Sequence, residues 1–343
     1  MSNPYDAKGP ASFWKQAIAA CAPDDVCPVP AKRFRIVAHD AVATAGSCFA
    51  QNVAKFLKQR DGLRFLETEA IGPDQPSFSA RYGNIYTARQ LLQLAEEAVG
   101  QRSPLDVVWR RPDGALIDAL RPTVFAKGFV DAPSVLTERQ KHLAAVRALL
   151  SGCTIFVFTL GLTEAWRSSR DGTVYPLAPG VVAEPPRREN LEFHNFAYEE
   201  VRDDLRRFIS LMQRVNAGAR ILLTVSPVPL VATYTDEHVL VATTHSKAVL
   251  RAVASAVAAE HEKVYYFPAY EIITGNFSRG RYFDDNLRTI TPAGVTHVMR
   301  VFETVYGLVD EAPRQPGREQ GLFSDSDENV ICDEEEIVKS LGF

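Results

Sequence analysis

An excess of either charge, a long apolar run, paired cysteines and the common nucleotide and metal signatures are all missing from this sequence. Its 38 Lys and Arg face 42 Asp and Glu, a formal net charge of −4 over 343 residues. That near balance offers no electrostatic footprint for gripping nucleic acid or anionic lipid. The longest uncharged stretch, Ile221 to Thr235, is interrupted by Pro227 and Pro229, and it is shorter than the roughly 20 apolar residues that span a bilayer. The chain opens without a basic segment, apolar block and small-residue cleavage site, so a cytoplasmic protein with no membrane span is expected. The five cysteines, Cys21, Cys27, Cys48, Cys153 and Cys332, contain no C-x-x-C pair, which argues against a disulfide frame and a structural zinc site. H-E-x-x-H, G-x-x-x-x-G-K-[ST] and G-x-G-x-x-G are absent, so no metal and no intrinsic cofactor is expected, although acyl-CoA could serve as a donor without any of them.

What the sequence does contain is an alternation of strand-like and helix-like segments. Ala41 to Ala45, Thr154 to Leu160, Arg220 to Ser226 and Val264 to Phe267 read as strands, and the last three are nearly continuous apolar runs, as buried parallel strands should be. A short strand near Leu63 to Leu66 completes a set of five. Thr87-x-x-Gln90 and Thr137-x-x-Gln140 fit capping boxes, and Thr291-Pro292 fits an N-cap with proline at the first helical position. Val201, Leu205, Phe208, Met212 and Val215 recur at helical spacing opposite Asp203, Asp204, Arg206 and Arg207, the pattern of a helix laid on a sheet. Asp171-Gly172, clustered prolines and Gly180 between residues 166 and 186 suggest a hairpin and loop inserted after the central strand.

Residues 311–343 change to Pro, Gly and acids and are expected to form a mostly flexible acidic tail. Within it Val330, Ile331, Ile337, Val338 and Leu341 would line one side of a short helix that orders only by docking on its own domain, a second subunit or a protein partner.

Chemistry is suggested first by Gly46-Ser47-Cys48, which joins the strand at Ala41 to a helix carrying Phe49, Val53, Phe56 and Leu57. A serine at such a turn sits at the carboxyl edge of a parallel sheet, beside the backbone N–H groups of a helix N-terminus. Ala45-Gly46-Ser47-Cys48-Phe49-Ala50 contains the motif of the GSCFA family, and the chain resembles that family again at Arg81–Tyr86, Thr159–Trp166, Phe193–Phe196, Thr224–Val228 and Tyr266–Ile272. The resemblance spans roughly residues 35 to 310.

The GSCFA family in turn resembles SGNH or GDSL hydrolases and polysaccharide acetyl transferases and esterases. That implies an SGNH-like three-layer α/β/α sandwich over residues 1–310, with a five-stranded parallel sheet in the order 2-1-3-4-5, and a serine acyl-enzyme. Ser47 matches the nucleophile block, and Gly83 and Asn84 match residues that help to form an oxyanion hole. Gly161-Leu162-Thr163-Glu164 stands where related hydrolases carry Gly-x-Asn-Asp, so Thr163 replaces the asparagine. The last block, Asp-x-x-His in those enzymes, reads Asp285-Asn286-Leu287-Arg288.

Arginine holds its proton near neutrality and cannot be the general base. Its fixed charge suits Arg288 to a carboxylate or phosphate of substrate or donor. His297, on the helix opened by Pro292, is the favoured base with Asp285 orienting it, and His194 is the second choice. Cys48 is the minor alternative nucleophile. The reading is a serine acyl, favoured acetyl, esterase or O-acyltransferase on a carbohydrate or polysaccharide precursor. Its rival is a carbohydrate-binding or scaffolding protein on a degenerate SGNH fold, supported by Arg288 in place of the base.

Overall fold

The computed structural model describes residues 3–29, 34–60, 63–70, 78–307 and 332–342. They fall into two compact units, one of Ala38–Tyr266 with Asn329–Phe343 and a smaller one of Met1–Val37 with Phe267–Glu328. In the larger unit β1 (Ala41–Gly46) leads to α1 (Cys48–Lys58), β2 (Arg64–Phe65), α2 (Ala88–Ala98), the hairpin β3–β4 (Val108–Arg110 and Leu116–Asp118), α3 (Ala132–Gly152) and β5 (Ile155–Leu160). β6 (Glu164–Ser168), β7 (Val174–Tyr175), β8 (Leu191–Asn195), α4 (Tyr198–Val215), β9 (Arg220–Val225), α5 (Val239–Glu260) and β10 (Val264–Tyr266) follow. The smaller unit holds α6 (Ala269–Thr274) and α7 (Pro292–Tyr306), and α8 (Glu335–Ser340) belongs to the larger one.

The central sheet runs β10-β9-β5-β1-β2, every pair parallel. Counted along the chain this is the expected 2-1-3-4-5 order. All residues of β1 and β5 are buried, which explains why these strands are mostly apolar and do not alternate. α1 buries Phe49, Val53, Phe56 and Leu57, and α4 buries Val201, Leu205, Phe208 and Met212. The Phe208 ring meets Phe156 of β5 at 5.5 Å. The segment after β5 forms a separate antiparallel sheet, β7-β6-β8, so the expected hairpin gains a third strand. No helix among the described residues is long and apolar enough to cross a membrane.

Thr87 caps α2 with a complete capping box, and the Thr291 hydroxyl accepts from Gly294 N–H at the start of α7. Thr137 does not start a helix, contrary to expectation. α3 begins earlier because the Asp131 carboxylate accepts from Ser134 N–H and Pro133 falls in the first turn, a stronger start than a mid-segment threonine.

Where it is described, the C-terminal tail packs on the larger unit. Cys332, Asp333 and Glu334 are buried in the larger unit, and Ile337 and Val338 lie in α8. Residues 311–331, with Val330 and Ile331, and Phe343 lie outside the described residues.

Candidate active site

The end of β1 is set by sterics. Gly46 has φ +144°, and a Cβ there would lie 2.5 Å from the Thr159 carbonyl oxygen on β5, so only glycine lets the two strand ends approach this closely. Ser47 follows as the N-cap of α1, with Ser47 N–H donating to Thr159 O at 3.2 Å. A serine here would ordinarily turn its hydroxyl onto the first helical N–H groups. Ser47 makes no such cap. Its Oγ is buried without a hydrogen-bond partner, and the residue is only 2% exposed.

Ser47 lines a pocket of about 10 Å³ with Cys48, Tyr86, Gly161, Lys247 and Glu334 among its walls. Gly161 is held against it: a Cβ on Gly161 would lie 3.1 Å from Ser47 Cβ and from Tyr86 O. Gly161 N–H donates to Tyr86 O at 2.9 Å. Lys247, on α5 and 2% exposed, donates from Nζ to Gly161 O at 2.6 Å. Its neighbour Ser246 fixes the register of α5, accepting from Thr163 N–H at 3.0 Å.

Gly83 turns the chain with φ +68° ahead of the buried Asn84. Gln51 Nε2 donates to Asn84 Oδ1 at 3.1 Å, which aims the Asn84 Nδ2 donor away from α1. That donor and the Asn84 backbone meet the carboxylate of Asp333 from the tail, which also accepts from Thr123 Oγ1 at 2.6 Å. Burial outweighs these hydrogen bonds and pushes the Asp333 carboxyl up to about 6. Cys332 Sγ sits 3.9 Å from the Tyr86 hydroxyl, and burial, with Cys332 and the two tail acids beside it, holds that phenol well above its usual range.

The Arg81–Asn84 turn rests on a buried ion network. Glu69 accepts from Arg81 N–H at 2.8 Å and meets His142 Nδ1 at 2.6 Å. Arg139 bridges Asp118 at 3.0 Å and Glu97, and Arg121 donates to Asp118 at 2.8 Å. Burial raises the Asp118 carboxyl, but Arg139 and Arg121 outweigh it and hold the group below the usual carboxylate range.

Ser47, Gly83, Asn84, Gly161, Thr163, Glu164 and His194 all belong to the larger unit. Thr163 is committed elsewhere, donating from Oγ1 to Asn195 Oδ1 at 2.6 Å. Glu164 anchors the 233–234 loop, accepting from Thr233 Oγ1 at 2.6 Å and Tyr234 N–H at 3.1 Å. His194 pairs with Glu200 at 2.8 Å, and Glu200 accepts from Ala197 N–H at the start of α4, so this histidine braces a helix cap.

His297, Asp285 and Arg288 belong to the smaller unit. The expected orienting pair is not formed there. His297 Nδ1 meets the Tyr282 hydroxyl at 2.7 Å and Nε2 meets Val26 O at 2.9 Å, which occupies both ring nitrogens. Asp285 is exposed in the turn around positive-φ Leu287. Arg288 N–H donates to Asn286 Oδ1 at 2.9 Å in the same turn.

Lys247, Thr123, Asp333 and Glu334 were not singled out by the sequence. Lys247 carried one usable signal: it precedes Leu250, Val253, Ala254 and Val257 on the buried stripe of α5, where a lysine is out of place. Among the described residues no three His, Cys, Asp or Glu side chains gather as a metal ion would need.

The model of the GSCFA family matches residues 41–302. The chain belongs to the GSCFA family. Ser47, the Asn84 turn and α5 of this GSCFA protein lie inside the matched span, and Glu334 of the pocket wall lies beyond it. A solved structure, a carbohydrate esterase family 3 protein from Talaromyces cellulolyticus, is similar at 11% identity and a TM-score of 0.28, with 77% of this chain and 95% of that chain covered. No curated protein matches the sequence.

Proposed function

We propose that this GSCFA protein is a serine-dependent acyl esterase or O-acyltransferase, with Ser47 the nucleophile and a carbohydrate the acceptor or substrate. The observation that carries this reading is the Ser47 hydroxyl itself, buried, uncapped and without a partner at the carboxyl end of β1. A buried hydroxyl left unpaired costs free energy, and a catalytic duty is one reason for a fold to keep it. Ser47 Oγ would attack an ester or thioester carbonyl, and water or a sugar hydroxyl would then release the acyl group. The Asn84 amide, oriented by Gln51, would donate to the developing oxyanion.

A carbohydrate is favoured by the cleft next door. Trp166, Phe193 and Tyr234 contact one another with centroids 4.9–6.2 Å apart and line an apolar cleft of about 140 Å³. Aromatic faces of this kind suit the C–H face of a sugar ring, whose hydroxyls stay at the rim. The cleft shares Leu162, Leu230 and Glu334 with the Ser47 pocket.

A fluorophosphonate probe tests the reading. Stoichiometric labelling that is lost in Ser47→Ala, in a variant that melts like the parent, is the expected result. Sugar binding with no labelling would replace the enzyme by a binding protein.

A further inference from the structure

We infer that Lys247 is the general base that takes the proton from Ser47 Oγ. The inference rests on the Ser47 reading and supplies the base that Arg288 cannot be. Ser47 and Lys247 flank one residue: Gly161 O accepts from Lys247 Nζ at 2.6 Å, and Gly161 packs directly on the Ser47 side chain. Both side chains line the same small pocket. Among the described residues lining it, Lys247 is the one nitrogen base. Ser246 locks the helix turn that carries it through Thr163 N–H, so Lys247 is presented by a fixed backbone and not by a loop.

The alternatives are weaker. The Tyr86 phenol is held far above its usual range and stays protonated. Ser226 accepts from Val228 N–H at 3.3 Å and is no base. His297 has both ring nitrogens engaged inside its own unit.

In the step itself the lone pair of a neutral Lys247 amine takes the Oγ proton as Oγ bonds to the carbonyl carbon and the carbonyl oxygen becomes the oxyanion. A neutral amine keeps two N–H groups, so the Gly161 carbonyl retains its donor. Collapse expels an alkoxide or thiolate, which takes the proton from the Lys247 ammonium. The incoming water or sugar hydroxyl then gives a proton to the amine as it attacks the acyl-enzyme, and collapse of that second intermediate breaks the acyl–Oγ bond and passes the proton from the ammonium to Ser47 Oγ. The ionisable groups facing Lys247 are Cys48 at the start of α1, Tyr86 ahead of α2 and Glu334 from the tail, with exposed His245 and partly buried Arg251 on α5 itself. Glu334 opposes the step, because a carboxylate in the pocket favours the ammonium form.

The experiment follows the rate of Ser47 phosphonylation and of ester cleavage against pH in the full chain, for the parent, Lys247→Met, Lys247→Arg, His297→Ala and Glu334→Gln. General-base catalysis is worth about 10²–10⁴-fold, so Lys247→Met should lose at least 100-fold and with it the rising limb of the pH profile. Lys247→Arg should fail equally, since a guanidinium cannot give up its proton, and it tests the same point if the methionine variant does not fold. Glu334→Gln should shift the rising limb to lower pH. A Lys247→Met or Lys247→Arg protein that keeps both rate and limb overturns the inference, as does a limb lost only in His297→Ala. A parent enzyme that labels elsewhere than Ser47, or not at all, overturns the serine reading and the lysine with it.

Discussion

Seating of the C-terminal segment should depend on the protonation of Asp333, and the size of that dependence follows from the site. The carboxyl is pushed from 3.8 up to about 6 when the segment is docked, and it has the ordinary value when the segment is free. A raised carboxyl binds its proton more tightly in the docked state, so the contribution is fully present below about 4 and is lost as pH rises through about 6. The whole span is worth roughly 3 kcal/mol, and the part between pH 7 and pH 5 is about tenfold in the docking constant. Cys332, buried beside Tyr86, gives a readout independent of catalysis. Its alkylation rate, followed by mass spectrometry and divided by that of a free peptide of residues 325–343, measures protection. We expect protection to rise about tenfold from pH 7 to pH 5 in the parent. In Asp333→Asn, which has no ionisable group at position 333, this tenfold change should be lost. A flat parent profile, or the same slope in Asp333→Asn, would refute the assignment of the switch to Asp333.

Asn84→Ala should lower kcat/KM by about 10²–10³, the usual cost of one oxyanion donor, and should also cost about 1–3 kcal/mol of stability because Gln51 and Asp333 lose a buried partner; a loss below threefold in steady-state kinetics removes Asn84 from the transition state. Arg139→Met should destabilise the fold by about 3–5 kcal/mol, because Asp118 and Glu97 lose a buried partner, seen in denaturant titration. Asp118 is held below the usual range by Arg139 and Arg121, so its contribution is present above about pH 4 and lost as pH falls further. Acid unfolding of Asp118→Asn should therefore start from a lower plateau and fall less steeply. Gly46→Ala should abolish soluble folded protein or lower its melting point sharply, since the added methyl meets Thr159 at 2.5–2.8 Å in a φ range that L residues avoid; a parent-like melt would show that β1 can move aside.

The parts of the fold that were legible are those in which local pattern and tertiary burial agree. β5 and β9 read as apolar runs because both of their faces are covered, and the Thr87 box worked because no better cap competes with it. Thr137 misled because Asp131 captures the start of α3 six residues earlier. Ser47 was visible from the turn and the family motif. His297 was placed correctly on α7, but its partners Tyr282 and Val26 come from distant sequence positions that no periodicity reveals. Lys247 was hidden for the opposite reason, since a lysine in a long helix is ordinarily read as solvated.

Asp333 and Glu334 were invisible because acidic composition argues for solvation, whereas the donors that receive Asp333, on Thr123 and Asn84, lie more than 200 positions away. That placement bears on how the site works. Asn84 cannot hold the Asp333 carboxylate and a substrate oxyanion at once. The Ser47 pocket, at about 10 Å³ with Glu334 in its wall, leaves no room for an acyl ester. Glu334 also borders the 140 Å³ aromatic cleft, so withdrawal of this one segment would join pocket and cleft and free the Asn84 donors. On the proposed function, the docked tail and bound substrate therefore exclude each other. By mass action a saturating substrate must then lower the protection of Cys332, and lower it more at pH 7, where the Asp333 carboxylate is ionised and least content to be buried, than at pH 5.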